Sequence, residues 1–188
     1  MTMSNAWRAI TAVGLLVLLT VAPPGLVRAS AARQAGDAPI PGVEQFSGLS
    51  AAHRSGPIDY AETPPSGGPH APIWVNCGVY DQPVPTEMAV HALEHGAVWL
   101  TYQPDLAAAD VAALRALARG RDYVLVTPWG AGGLPSPVVA VAWGLRLPVD
   151  DASDPRLAEF VARYANGPQT PEPGAPCHGG LGTPLPNP

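Results

Sequence analysis

The sequence contains no lysine and few charged residues of any kind. All ten basic residues are arginines, and charged residues make up 13% of the 188 positions. Arg8 and Arg28 precede residue 31, so the rest of the chain has eight arginines against fifteen acidic residues, a net charge of about −7. Because there is no basic run and no interleaving of basic and aromatic residues, we do not expect nucleic acid or anionic lipid to be a partner.

Long apolar runs are also missing. The longest, from Ala9 to Ala22, has about 14 residues and ends at Pro23-Pro24, whereas a membrane-spanning helix needs ~20. Arg8 precedes this run and Ala29-Ser30-Ala31 follows it, which predicts an export signal over residues 1–31 that is cleaved before Ala32. An uncleaved membrane anchor is the alternative, so we expect a membrane contact only in that case.

Cysteine is scarce, with two residues, Cys77 and Cys177. In an exported chain an even pair most simply forms one disulfide, which would tie the C-terminal tail to the domain. The alternative makes Cys177 and His178 soft metal ligands, although neither has the CxxC spacing of a thiolate site.

The length and the hydrophobic content of 47% predict a single globular domain. We expect a flexible lead-in over residues 32–42, the domain over 43–167, and a tail rich in proline and glycine over 168–188. The 24 prolines and 20 glycines are spread between apolar segments, which indicates long ordered loops rather than a repeat.

Apolar periodicity and turn residues predict an α+β fold, with a small mixed sheet packed against about three helices. Three helices are predicted, over residues 86–96, from Pro104-Asp105 to about Arg119, and from an Asp154 cap to Asn166-Gly167. Strands are predicted over residues 74–80, 97–102, 123–127 and 138–143, the last antiparallel to the one before it, with a possible short edge strand over 56–60.

The first predicted helix carries an HxxEH sequence. Thr86 is the expected N-cap, and Gly96 is expected to end the helix in a left-handed conformation. His91 and His95 lie one turn apart, so their Cβ atoms are expected ~5–6 Å apart on one face, within reach of a single metal ion. Glu94 could be a third ligand, a carboxylate that orients a ligand, or a proton acceptor.

Two further histidines precede this helix. His70 ends a stiff loop that starts at Thr63 and contains Pro64-Pro65 and Gly67-Gly68, and His53 lies upstream of it. The predicted metal site therefore consists of His53, His70, His91, Glu94 and His95. Histidine ligands outside the cytoplasm suit copper or zinc.

The function predicted from these residues is transition-metal handling or sensing rather than catalysis. Two alternatives stay open. HxxEH is also the inverted zincin signature, in which both histidines bind zinc and the glutamate is the general base of a hydrolase. In the other alternative the histidines are structural and the chain is an extracytoplasmic interaction domain that binds no metal.

Four passages resemble the bacterial family catalogued as domain of unknown function 3105: residues 63–70, 74–80, 89–99 and 168–177. The resemblance covers roughly residues 43–180 and implies an exported or membrane-anchored domain with a PPxSGPH-like loop and a VHxLEHG helix. Its signature positions here are His53, His70, Cys77, His91, Glu94 and His95. The Gly67-Gly68 pair departs from the family pattern, in which many members have a shorter loop.

Overall fold

The structure is a computed structural model that describes residues 38–130 and 132–186. The predicted export signal and most of the lead-in lie outside the described residues. The strands are β1 (Glu44–Gln45), β2 (Gly78–Val79), β3 (Val98–Tyr102), β4 (Val124–Pro128), β5 (Val138–Ala142) and β6 (Leu145–Val149). The helices are α1 (Thr86–Glu94), α2 (Ala108–Ala118) and α3 (Pro155–Tyr164). The α+β fold predicted from the sequence is confirmed.

These strands form one mixed sheet in the order β1-β6-β5-β3-β4-β2. At its centre, β3 runs parallel to β4 and antiparallel to β5, so Trp99 pairs with Leu125 on one side and Val141 on the other. β2 is parallel to β4, and β6 is antiparallel to both β5 and β1. Every residue of β3, β4 and β5 is buried, as expected for strands covered on both faces.

The two faces of the sheet carry different helices because side chains alternate along each strand. One face packs against α2 and α3 through Leu114, Leu157 and Phe160. The strand residues that supply this face include Val98, Leu100, Val124, Val126, Val138 and Ala140. The opposite face packs Trp99, Leu125 and Val141 against Ala89 and Leu93 of α1.

Several local predictions differ from the structure. Residues 56–60 form no strand, and the strand expected over 74–80 is reduced to β2. β5 runs antiparallel to β4, as expected, but β3 lies between the two. The strand β6 was not anticipated. Ile40, which precedes the domain start predicted at residue 43, is buried in the core.

Residues 168–186 of the tail fold back onto the domain. Cys77 and Cys177 form a disulfide with their Cα atoms 5.3 Å apart, which indicates an oxidising, extracytoplasmic compartment. Farther along, Leu181 bridges to Val75 and the Leu185 amide donates to the Val79 carbonyl at 2.7 Å. The suggestion that Cys177 binds metal as a thiolate is therefore wrong. Within residues 38–130 and 132–186, no helix has the length and apolarity of a membrane span.

Candidate metal centre

Helix α1 lies between the sheet and a cover of loops. The Ala71 amide donates to the Glu87 carbonyl, the Val75 amide to the Met88 carbonyl, and the Glu172 amide to the Glu94 carbonyl. The loop that precedes α1 and the C-terminal tail therefore meet on the side of α1 that faces away from the sheet. This side carries the HxxEH residues, and His91, Glu94 and His95 are all buried.

The ends of α1 differ in part from the prediction. Pro85 occupies the N-cap position, so Thr86 is the first helical residue and no side chain caps the helix. Gly96 ends the helix as expected, with φ +104°. A Cβ atom there would lie 2.9 Å from the Asn166 Cα and 3.1 Å from the Thr170 Oγ1, so the residue must be a glycine for the following chain to pack closely.

Four side chains converge beside α1. The Glu94 Oε2 lies 3.0 Å from the His70 Nε2, 3.7 Å from the His53 Nε2 and 3.8 Å from the His91 Nε2. The three imidazole centroids are 4.8–4.9 Å from one another. His70, His91 and Glu94 are buried, whereas 49% of the His53 side chain is exposed. The group thus opens to solvent at His53.

A backbone contact sets His53 against His70. The Arg54 amide donates to the His70 carbonyl at 2.7 Å, and the His70 amide donates to the Ala52 carbonyl at 3.1 Å. These two bonds form an isolated parallel bridge between His53 and His70. The stiff loop that precedes His70 therefore positions both of the histidines that precede α1.

Backbone carbonyls orient three of the imidazoles. The His70 Nδ1 lies 2.9 Å from the Gly68 carbonyl, the His91 Nδ1 lies 2.6 Å from the Ala71 carbonyl, and the His95 Nδ1 lies 2.8 Å from the Pro176 carbonyl. Because a carbonyl oxygen carries no proton, each Nδ1–H must be the donor. In the neutral ring the proton is then on Nδ1, and the Nε2 has a free lone pair.

These free lone pairs face other acceptors at short distances. The His70 Nε2 faces the Glu94 carboxylate at 3.0 Å, and the His91 Nε2 faces the His95 Nε2 at 3.0 Å. Two lone pairs at such a distance repel each other unless a proton or a metal ion lies between them. A bound metal ion, or a proton carried by one of the two facing atoms, removes this repulsion.

His95 lies beside this group but belongs to a second one. Its Nε2 is 3.6 Å from the Glu172 Oε2, and together with Glu94 these residues offer ligand atoms within 4.8 Å of one another. The first group, by the same measure, holds His53, His70, His91 and Glu94. Glu94 is common to both, and 55% of the Glu172 side chain is exposed.

The surroundings of His91 keep it neutral. Burial lowers its pKa to about 4, and the neighbouring His95, His70 and His53 act in the same direction, while the hydrogen bond to the Ala71 carbonyl opposes the shift. Neutral imidazole is the form that binds metal. The Trp74 ring lies 5.5 Å from His91 and 4.5 Å from His95, centroid to centroid, so an apolar wall shields both from water.

The structure thus assembles all five of the predicted site residues beside one helix, but in two overlapping groups. The site predicted from the sequence included neither Glu172 nor the three carbonyls. The carbonyl of Pro176 and the carboxylate of Glu172 reach His95 because the tail folds back, and the predicted disulfide at Cys177 was the signal for that return. His178 is exposed and lies in neither group.

Comparisons with known proteins place the chain in a family. No curated protein and no solved structure matches it. The family model described as protein of unknown function (DUF3105) matches residues 52–179, which include every histidine and carboxylate of both groups. The chain belongs to the DUF3105 family.

Proposed function

We propose that this domain binds one transition-metal ion, copper or zinc, through His53, His70, His91 and Glu94, and that it serves metal handling or sensing outside the cytoplasm. The observation that carries the proposal is the convergence of three Nε2 atoms on the Glu94 Oε2. The disulfide supports the compartment, because such bonds persist in oxidising surroundings.

The spacing of the ligand atoms suits such an ion. Two ligands on bonds of ~2.0–2.1 Å in a tetrahedral zinc site lie about 3.3–3.4 Å apart. The three distances from the Glu94 Oε2, 3.0, 3.7 and 3.8 Å, scatter around that value. Ligating imidazoles usually donate their second ring N–H to a carbonyl or a carboxylate, and His70 and His91 both do so.

Charge supports the same proposal. Glu94 is buried, and within residues 38–130 and 132–186 the ion-pair partners of its carboxylate are the three imidazoles and no arginine. Burying an unpaired carboxylate costs several kcal/mol. A divalent ion among neutral imidazoles would compensate the charge and would also separate the facing lone pairs.

The inverted zincin alternative fits the geometry less well. In that mechanism both histidines of HxxEH bind one zinc ion, and the glutamate stands apart as the general base. Here Glu94 lies at the centre of the histidine group, and His95 lies in the second one. A cleft of about 600 Å³ does lie nearby, but Arg54, Tyr60 and Gly68 line it, and none of the proposed ligands do. Binding without hydrolysis is therefore the function that the site supports best.

Metal analysis of protein purified without a tag tests this proposal. After chelation and dialysis, we expect the protein to take up Zn²⁺ or Cu²⁺ at the first group, and His91→Ala to abolish that binding. His178→Ala is the matched control, because His178 is exposed and belongs to neither group; it should bind like the wild type.

A competition titration of Zn²⁺ against Cu²⁺ then identifies the preferred ion. We expect Cu²⁺ to bind more tightly in vitro. A folded wild type that binds neither ion would refute the proposal and leave a structural histidine cluster in an interaction domain. Equal binding by His91→Ala and the wild type would refute it as well.

A further inference from the structure

We propose that the centre holds two metal ions, the second bound by His95 and Glu172, with the Glu94 carboxylate shared between the two. This inference rests on the proposed function, because Glu94 also belongs to the first site. It assigns a role to His95 and Glu172, which the single-ion site leaves out.

His95 is oriented as a ligand, but its ligand atom groups with Glu94 and Glu172 rather than with His53 and His70. Its Nδ1–H donates to the Pro176 carbonyl, so its Nε2 lone pair is free and buried. That lone pair points at the His91 Nε2, 3.0 Å away. Once His91 binds the first ion, the His95 lone pair remains available to bind a second one.

Glu172 supplies the charge that a second ion needs. Its Oε2 is 3.6 Å from the His95 Nε2, close to the ligand spacing of a tetrahedral site, about 3.3–3.4 Å. The Glu172 amide donates to the Glu94 carbonyl, which holds this part of the tail against the end of α1. Two divalent ions repel each other, and the two carboxylates offset part of that repulsion.

Glu94 can act as a bridging ligand between the two ions. A carboxylate offers two oxygens, and Glu94 provides ligand atoms within 4.8 Å of the others in both groups. Two-metal sites in proteins commonly hold their ions about 3.5–4 Å apart with shared ligands. Because 55% of the Glu172 side chain is exposed, the second ion should exchange more readily than the first.

The competing explanation involves a proton instead of an ion. A protonated His95 would donate from Nε2 to His91, and the centre would then bind at most one ion. The two explanations differ in stoichiometry, and they differ in what Glu172 does.

Titration of the untagged, disulfide-bonded domain distinguishes them. Zn²⁺ uptake is followed by calorimetry, and Cu²⁺ uptake by electron paramagnetic resonance with integrated intensity. We expect the wild type to bind two ions, the second at least tenfold more weakly. The second Cu²⁺ should reduce the signal of the first, because a shared carboxylate couples the two spins.

Glu172→Gln tests the second site with little risk to folding, because it keeps the backbone bond to Glu94 and alters an exposed side chain. It should bind one ion, with an undiminished resonance signal. Glu159→Gln, an exposed glutamate on α3, is the matched control and should still bind two ions.

Uptake of one ion by the wild type, unaffected by Glu172→Gln, would overturn the second site and leave the proposed function intact. Uptake of two ions by both the wild type and Glu172→Gln would also overturn it, because the second ion would then lie elsewhere. No uptake by the wild type would refute the proposed function itself.

Discussion

At the residue scale, Glu94 is the side chain that all three imidazoles of the first group share. It is buried on α1 with its Oε2 among three imidazole nitrogens. If Glu94 is a metal ligand, its charge contributes mainly to metal affinity. If it is instead the partner of a protonated His70, its charge contributes mainly to the stability of the metal-free protein. The same carboxylate therefore gives opposite predictions for one substitution.

The substitution Glu94→Gln distinguishes these roles. The glutamine side chain is isosteric with glutamate, and its amide can donate to the free His70 Nε2. We therefore expect the metal-free variant to stay within about 1 kcal/mol of the wild-type free energy of unfolding, while metal affinity falls at least ~10–100-fold. Urea denaturation with chelator, and a metal titration, measure the two effects.

The opposite pattern would contradict the ligand role of Glu94. Loss of one partner from a buried ion pair costs about 3–5 kcal/mol, so a strongly destabilised metal-free protein with unchanged metal affinity would indicate an ion pair with His70. Glu159→Gln again serves as the control for the loss of one negative charge.

At the element scale, α1 owes its position to glycine at its C-terminal end. Gly96 follows His95 directly, and the Asn166 amide donates to the Gly96 carbonyl at 2.8 Å. The chain that leaves α3 therefore packs on the end of α1, next to the second group. Any side chain at residue 96 would push these two segments apart.

Gly96→Ala should destabilise the protein by at least about 2 kcal/mol, because it combines a disfavoured φ of +104° with a Cβ atom 2.9 Å from the Asn166 Cα. Gly120→Ala is the matched control. Gly120 follows α2 with φ +64° but has open space around it, so its cost should be about 1 kcal/mol. Equal losses for both variants in urea denaturation would show that close packing at Gly96 contributes nothing.

Contacts within one helix could be predicted from the sequence, whereas one strand of the sheet could not. The i, i+4 spacing of His91 and His95 correctly indicated that their side chains meet, because helical geometry is local. The alternation in β6 was hidden by Arg146 and Pro148. A proline is tolerated there, because β1 pairs with only Leu145 and Arg146 and leaves the outer edge at Pro148 open.

The membership of each histidine group could not be predicted in the same way. His53 and His70 meet through a backbone bridge between two loops, and Glu172 meets His95 through the returning tail. Both contacts depend on long-range packing that leaves no periodic pattern in the chain. Proline, glycine and cysteine indicated that these segments are held in place, but they did not specify which side chains each segment delivers.

At the scale of the whole molecule, the centre joins three distant parts of the chain. The loop with His53 and His70, the helix α1 and the tail from residue 168 all contribute side chains or carbonyls to it. The Cys77–Cys177 disulfide closes a loop of 100 residues that contains α1 and the start of the tail, and the loop with His53 and His70 precedes it. The chain-entropy model assigns ~4–5 kcal/mol to closure of such a loop. The stability of the whole domain and the integrity of the centre are therefore coupled.

We expect the metal-free protein to lose stability in mild acid, because His91 is buried in its neutral form. His91 has a pKa of about 4 in the folded state, because of burial, against about 6.5 in an unfolded chain. Between these values the unfolded state binds more protons, so the free energy of unfolding falls as the pH falls. The contribution of His91 is complete above about pH 6.5 and is lost as the pH drops through about 4. By linkage, its limit is about 3 kcal/mol.

Urea denaturation with chelator at several pH values from 7.5 to 4.5 measures this dependence. His91→Gln removes the titrating group, so its free energy of unfolding should vary less with pH than that of the wild type, whereas His178→Gln should keep the wild-type slope because His178 is exposed. Identical slopes for His91→Gln and the wild type would mean that His91 is not held neutral by burial. Saturating Zn²⁺ should raise the wild-type stability most at pH 7.5 and progressively less in acid, because protons compete with the ion for the same imidazole lone pairs.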